Sequence, residues 1–203
     1  MKKLLAILFL SIAVTAFFFA CNPATAEQSS ISEEDVSSNL INAILGSYSA
    51  RAFKEGVVPD DMIETILNCA QKAPSAGNAQ PWHFTVITDN ETARQTAPRH
   101  YVEGAAVIVI SGKHNESAGV TIAFDTALAS QNIYLAAQVL GLGTRQYYSG
   151  VQNINDTQKS VLGIPDDYIA QIIMLIGFVA DDVDVVSSAS PRRPFESNVN
   201  YIR

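Results

Sequence analysis

The sequence predicts a single domain of mixed α and β structure behind an export signal. Three observations carry this. Apolar residues recur at helical spacing in the segments around 36–45 and 59–70. Two continuous Val- and Ile-rich runs, 105–111 and 169–179, have the length and composition of buried strands. The segment 121–140 is apolar almost all round, as in a helix enclosed on several sides, inside the core or against a second subunit. The elements follow as helix, helix, strand, strand, helix, strand, helix, strand. That order is neither a clean alternation nor a segregation, so pattern alone reaches only mixed α and β.

Residues 1–26 read as a signal peptide: a basic start at Lys2 and Lys3, then an apolar run from Leu4 to Ala20. The run is shorter than the roughly 20 residues of a spanning helix. Phe18-Phe19-Ala20-Cys21 has the outline of a lipobox that would lipidate Cys21, and Ala24-Thr25-Ala26 fits ordinary cleavage. The lipoprotein route is favoured slightly, which places the product at an extracytoplasmic membrane surface or in the periplasm. Residues 27–37 form a linker, and the domain occupies 38–203.

The first helix starts at Ser32-Glu33-Glu34-Asp35, a hydroxyl cap followed by acids, and Gly46 closes it. The second opens at Pro59-Asp60-Asp61 and carries Ile63, Ile66, Leu67 and Ala70 on one face. Residues 82–88 alternate as a strand, with Trp82 expected in the core and His83 structural. After the long helix, Gly141-Leu142-Gly143 supplies a glycine exit. A strand over 144–148, a short helix over 155–162 and the strand 169–179 follow. The tail is polar.

The formal charge is −7, from 13 Lys and Arg against 20 Asp and Glu. Loss of Lys2 and Lys3 with the signal leaves 11 against 20, or −9, which excludes a nucleic-acid partner. Of two cysteines, Cys69 alone belongs to the domain, on an apolar helix side where a buried, inert thiol is expected. His83, His100 and His114 lack metal-ligand spacing. No Ser-His-Asp or phosphate-loop motif is present.

Ala73-Pro74-Ser75-Ala76-Gly77-Asn78-Ala79-Gln80-Pro81-Trp82-His83-Phe84 is the chemically densest stretch. A linker needs one Gly or Pro to turn. This one adds the hydroxyl and amide groups of Ser75, Asn78 and Gln80, a set suited to a planar polar ligand.

That loop closely resembles the flavin-contacting loop of the nitroreductase family. Ser49-Ala50-Arg51-Ala52-Phe53 is similar to the family's S-x-R-x-F opening. Leu135 to Thr144, Leu162-Gly163-Ile164-Pro165, Ile176-Gly177-Phe178 and Arg192-Arg193-Pro194 resemble its later landmarks, in order. The resemblance implies an α+β fold: a mixed, largely antiparallel sheet flanked by helices, with the long helix at a homodimer interface. It also implies FMN, with Ser49, Arg51, Arg192 and Arg193 toward the phosphate side. Pro74, Ser75, Ala76, Asn78 and Gln80 would meet the ring and ribityl chain, and Ser149 and Gly150 the reactive N5. Tyr148 would line the substrate side or pack in the core as a strand tyrosine. No side chain is then needed as a nucleophile or general base. The implied activity passes hydride from NAD(P)H, or another donor such as a quinol or redox protein, to a nitroaromatic, quinone or similar acceptor. A dehalogenating or flavin-cleaving specialist, or an exported flavin-binding lipoprotein without turnover, are the alternatives. One departure stands out: where the family carries basic residues ahead of the S-x-R-x-F serine, this chain has Ser47 and Tyr48.

Overall fold

The computed structural model describes residues 40–114, 119–181 and 191–203. The signal peptide, Cys21, the linker and the expected helix start at Ser32 lie outside the described residues. Residues 40–45 are helical (α1) and turn at Gly46. The other helices are α2 (Asp60–Gln71), α3 (Asn90–Thr96), α4 (Gly119–Val139) and the single turn α5 (Val151–Asn153). The strands are β1 (Phe53–Lys54), β2 (Trp82–Ile87), β3 (Ala106–Lys113), β4 (Gly143–Tyr147) and β5 (Tyr168–Val179).

The five strands form one sheet in the order β1-β5-β3-β2, with β4 also paired to β5. Every pairing is antiparallel. The expected α+β class and its antiparallel sheet are what the structure has.

Both sheet faces are buried, which is why β3 and β5 read as continuous apolar runs. Alternate residues serve two cores. Ala106, Ile108 and Ile110 of β3, with Ile172, Met174 and Ile176 of β5, pack against Ile63, Ile66 and Ala70 of α2 and Ile133 and Ala137 of α4. Val107, Val109, Ile173 and Leu175 pack the other way, under Ala93 of α3, Tyr147, Ile154, Leu162 and Ile164. Gly112 lets α4 approach β3 closely: a Cβ there would lie 2.0 Å from a methyl of Ile122.

Several local expectations are corrected. The helix after β4 begins at Val151, not Asn155, and runs through a π-helical turn over Ile154–Gln158. Gly150, at φ 100°, sets that earlier start. α3 and β1 were not foreseen: α3 is seven residues of polar character, started by Asp89, whose carboxylate accepts the Thr92 amide at 2.9 Å. Trp82 is only partly buried and belongs to neither core cluster, its ring tilted by 34° against that of Phe84 at 6.4 Å. Cys69 is likewise partly exposed.

The all-round apolar character of α4 finds its cause in the exposure pattern. Ile122, Ala129, Ile133 and Ala137 are buried, whereas Phe124, Leu128 and Val139 are 65%, 43% and 69% exposed. Leu40, Ile41, Ile44 and Leu45 of α1 are exposed too. One stripe of the long helix is therefore left exposed in a single chain.

Candidate functional site

α4 holds two polar segments at its two ends. Near its C-terminus, Gln138 clamps Tyr48 by both backbone groups: the Tyr48 amide donates to Oε1 at 3.2 Å, and Nε2 donates to the Tyr48 carbonyl at 3.1 Å. The Ala50 amide donates to the Thr144 carbonyl of β4 at 2.9 Å, and Arg145 Nη1 donates to the Ala50 carbonyl at 3.2 Å. These bonds seat residues 47–50 between α4 and β4. The resulting cleft, about 320 Å³, is lined by Ser47, Ser49, Gln131, Tyr134, Gln146 and Arg192. Ser49 and Arg192 thus come together from opposite ends of the chain. Arg193 and Arg51 do not line this cleft.

Gln131, Tyr134 and Gln146 were missed as site residues. For Gln146 a signal was available: Thr144 and Gln146 alternate with Arg145 and Tyr147 along β4, and Tyr147 belongs to the core on the opposite face. Ser47, noted only as a missing cation, lines the cleft, while its hydroxyl donates to the Ile44 carbonyl at 2.8 Å.

At the other end of α4, the Ala76 amide donates to Asp125 Oδ1 at 3.1 Å. In the loop between α2 and β2, Ala73 is buried, Ser75 and Pro81 are partly buried and residues 76–80 are exposed, and three residues are left-handed: Gly77 (φ 59°), Asn78 (φ 55°) and Gln80 (φ 46°). Ser75 Oγ accepts the Gln80 amide at 2.9 Å, so toward a ligand Ser75 offers its hydroxyl proton. Ala76, Gln80 and Pro81 line a cavity of about 410 Å³ with Lys113, Thr121, Asp125 and Tyr168.

Ser149 and Gly150 line a third cavity, about 290 Å³, with Thr96, Arg99, Tyr147, Asn153 and Gln158. Behind it lies a small basic network. The Tyr147 hydroxyl donates to the Arg99 carbonyl at 2.6 Å and lies 3.1 Å from His100 Nδ1, so Nδ1 carries the hydrogen of that second bond. Burial raises the Tyr147 pKa above the usual phenol range. His100 is shifted down, by burial first and then by Arg145, Arg99 and Arg51 around it.

A pH prediction follows. The folded-state pKa of His100 lies below its unfolded value, about 6.5, so folding favours the neutral imidazole. Its contribution is present above that unfolded pKa and is lost as the pH falls through the lower folded one. His100→Asn tolerates the left-handed backbone at φ 65° and does not titrate. The wild-type Tm should fall more than that of His100→Asn between pH 7.5 and 5.5, by a small margin since the ring is largely exposed. Equal falls would refute the assignment.

The predicted residues thus divide among three places. The α4 residues that line the cleft, Gln131 and Tyr134, follow the loop's partner Asp125 by six and nine residues, about 9 and 13 Å along the helix. No metal-binding cluster of His, Cys, Asp and Glu occurs among the described residues, and no described helix is long and apolar enough to cross a membrane.

An antiparallel sheet buried on both faces, a polar cleft beside a long helix with one exposed apolar stripe, and a strained loop nearer that helix's start define a small α+β protein with ligand-sized hollows. Comparison with known proteins makes the class specific. The nitroreductase family model matches residues 44–103. A relative from Archaeoglobus fulgidus, named for NADH dehydrogenase or NAD(P)H nitroreductase activity, is 32% identical over 146 residues, which span 67% of this chain and 83% of that protein. The NADPH-dependent FMN reductase of Bacillus subtilis is 26% identical over 180 residues, spanning 77% and 70%. Among solved structures, the NfrA1 nitroreductase of B. subtilis superposes with a TM-score of 0.70 at 24% identity, covering 80% of this chain and 73% of that one. An FMN-bound nitroreductase from Bacteroides fragilis superposes with a TM-score of 0.65 at 19% identity, covering 81% and 98%. The chain belongs to the nitroreductase family.

Proposed function

We propose that this chain is an FMN-dependent oxidoreductase that moves hydride from NAD(P)H to a nitroaromatic, quinone or similar small acceptor. The observation that carries the reading is the cleft where Ser49 and Arg192 meet beside Gln146. The Arg192 guanidinium and the Ser49 hydroxyl on that cleft are the kinds of donor that an anionic group takes. A phosphate monoester fits that donor set, and the amide- and hydroxyl-rich loop fits the polar edge of a planar ring. FMN, when bound, supplies the hydride-carrying chemistry. The protein's task is to bind and orient: Arg192 and Ser49 would hold the phosphate end, Gln146 and Gln131 would line the way inward, and Ser149 and Gly150 would meet the reactive edge.

The loop and the cleft line separate hollows of one chain, with no residue in common. The reading therefore includes a homodimer in which one protomer's loop completes its partner's cleft. The bare stripe of Phe124, Leu128 and Val139, with Leu40, Ile44 and Leu45, supports such an interface, because monomers rarely leave a large apolar patch uncovered. The leader at residues 1–26, with Cys21 as lipid attachment point, supports placement outside the cytoplasm. There a quinol or a redox protein is the natural substitute for NAD(P)H as donor.

Turnover tests the reading: the FMN-loaded protein should oxidise NADPH, or a reduced quinol, at a rate that rises with added nitroaromatic or quinone. Bound flavin that no donor reduces would mark a flavin carrier instead.

A further inference from the structure

Asp125 is the only charged side chain that is buried among the described residues, at 5% exposure. A buried carboxyl is costly unless hydrogen bonds hold it. The bond it makes reaches 49 residues back, to the Ala76 amide at 3.1 Å. That amide opens the stretch in which strained backbone concentrates. Asn78 and Gln80 are two of only three described non-glycine residues with positive φ. Asn enters the left-handed region with some ease; Gln does so at a cost. Such conformations persist only where the surroundings over-determine them.

The constraints on this loop can be named. Pro74 and Pro81 fix its two ends, and the Ser75 hydroxyl accepts the Gln80 amide from within. Asp125 is its hydrogen-bonded anchor to the core, on a helix seated against β3 by Ile122 and Gly112.

We propose that Asp125 is a positioning residue, holding the Ser75–Gln80 loop in its left-handed form before any ligand arrives. The benefit falls on binding, because a loop already ordered loses no freedom when the ligand docks. Its purpose rests on the FMN reading above; its geometry does not.

Two substitutions and two readouts test it. Asp125→Asn keeps an acceptor oxygen at the same place, and Asp125→Ala removes it. In the FMN-free protein, the Ala76 and Gln80 amides should exchange with solvent about tenfold faster in Asp125→Ala and near the wild-type rate in Asp125→Asn, with β3 and β5 amides unchanged in both. FMN affinity should weaken about tenfold in Asp125→Ala and be recovered in Asp125→Asn. Unchanged exchange at Ala76 and Gln80 in Asp125→Ala overturns the proposal. So does an Asp125→Asn variant as impaired as Asp125→Ala, or faster exchange throughout the sheet, which would mark a general stability role. Faster loop exchange with unaltered FMN affinity would support the anchor and contradict the FMN reading of the loop.

Discussion

Gly104→Ala should lower the stability of the FMN-free protein by about 3 kcal/mol, combining a left-handed alanine with a steric clash. Gly104 has φ 84°, where a Cβ is disfavoured from the start. A Cβ built there would stand 2.5 Å from the Gly56 carbonyl carbon and 2.6 Å from both the Gly56 oxygen and the Val57 nitrogen. These are backbone atoms and cannot swing aside as a side chain would. They belong to a short pairing in which the Gly56 amide donates to the Glu103 carbonyl at 3.1 Å and the Val58 amide to the Gly104 carbonyl at 3.0 Å. The Gly104 amide is itself tied to Asn90 Oδ1, which also accepts the Tyr101 hydroxyl. Any retreat therefore breaks bonds at both α3 and the segment after β1. Urea unfolding checks this: with a slope of about 2 kcal/mol per molar, the midpoint should fall by about 1.5 M. A shift within 0.2 M, roughly 0.4 kcal/mol at that slope, would mean that the close approach is not as tight as described.

Arg192→Ala should weaken FMN binding by roughly 10- to 100-fold, the range expected for losing one charge-assisted contact to a phosphate. The expectation follows from placement. Arg192 lines the cleft with Ser47 and Ser49, and the two positions ahead of Ser49 carry no cation. Arg193, its neighbour in sequence, is absent from that lining. Arg193→Ala should therefore leave the affinity within about threefold, the scale of a surface charge. Fluorescence titration of FMN against both variants decides between them. Equal effects would mean that tail charge acts only at long range, and salt would then erase both.

The parts of the fold that were legible in the sequence owe it to burial. β3 and β5 stand at the centre of a sheet covered on both faces, so their apolar runs were continuous. α2 buries Ile63, Ile66 and Ala70, and that one-sided stripe was visible in its spacing. α3 buries only Ala93 and Thr96, too little to print a period. β1, at two residues, has no pattern to read.

The site was legible in its motifs and less so in its geometry. Ser49 and Arg192, expected on the same side of a ligand, line one cleft, and the loop stands out by its polar groups. Its strain does not, since left-handed Gln80 carries no glycine to announce it. Arg51, foremost among the expected phosphate ligands, does not line the cleft. Sequence spacing does not state which face of a two-residue strand a neighbouring side chain takes. The cleft lining from α4 was hidden for a related reason: Gln131 and Tyr134 look like ordinary helix residues until β4 is placed beside them.

The central claim is that this chain holds FMN and works through it. Its most direct test is the visible spectrum of the purified protein, taken without air before and after a reductant is added. The account predicts a yellow protein with one FMN per chain, bleached by NADPH or a quinol and restored by a nitroaromatic. A colourless protein whose spectrum and stability ignore added FMN would contradict it.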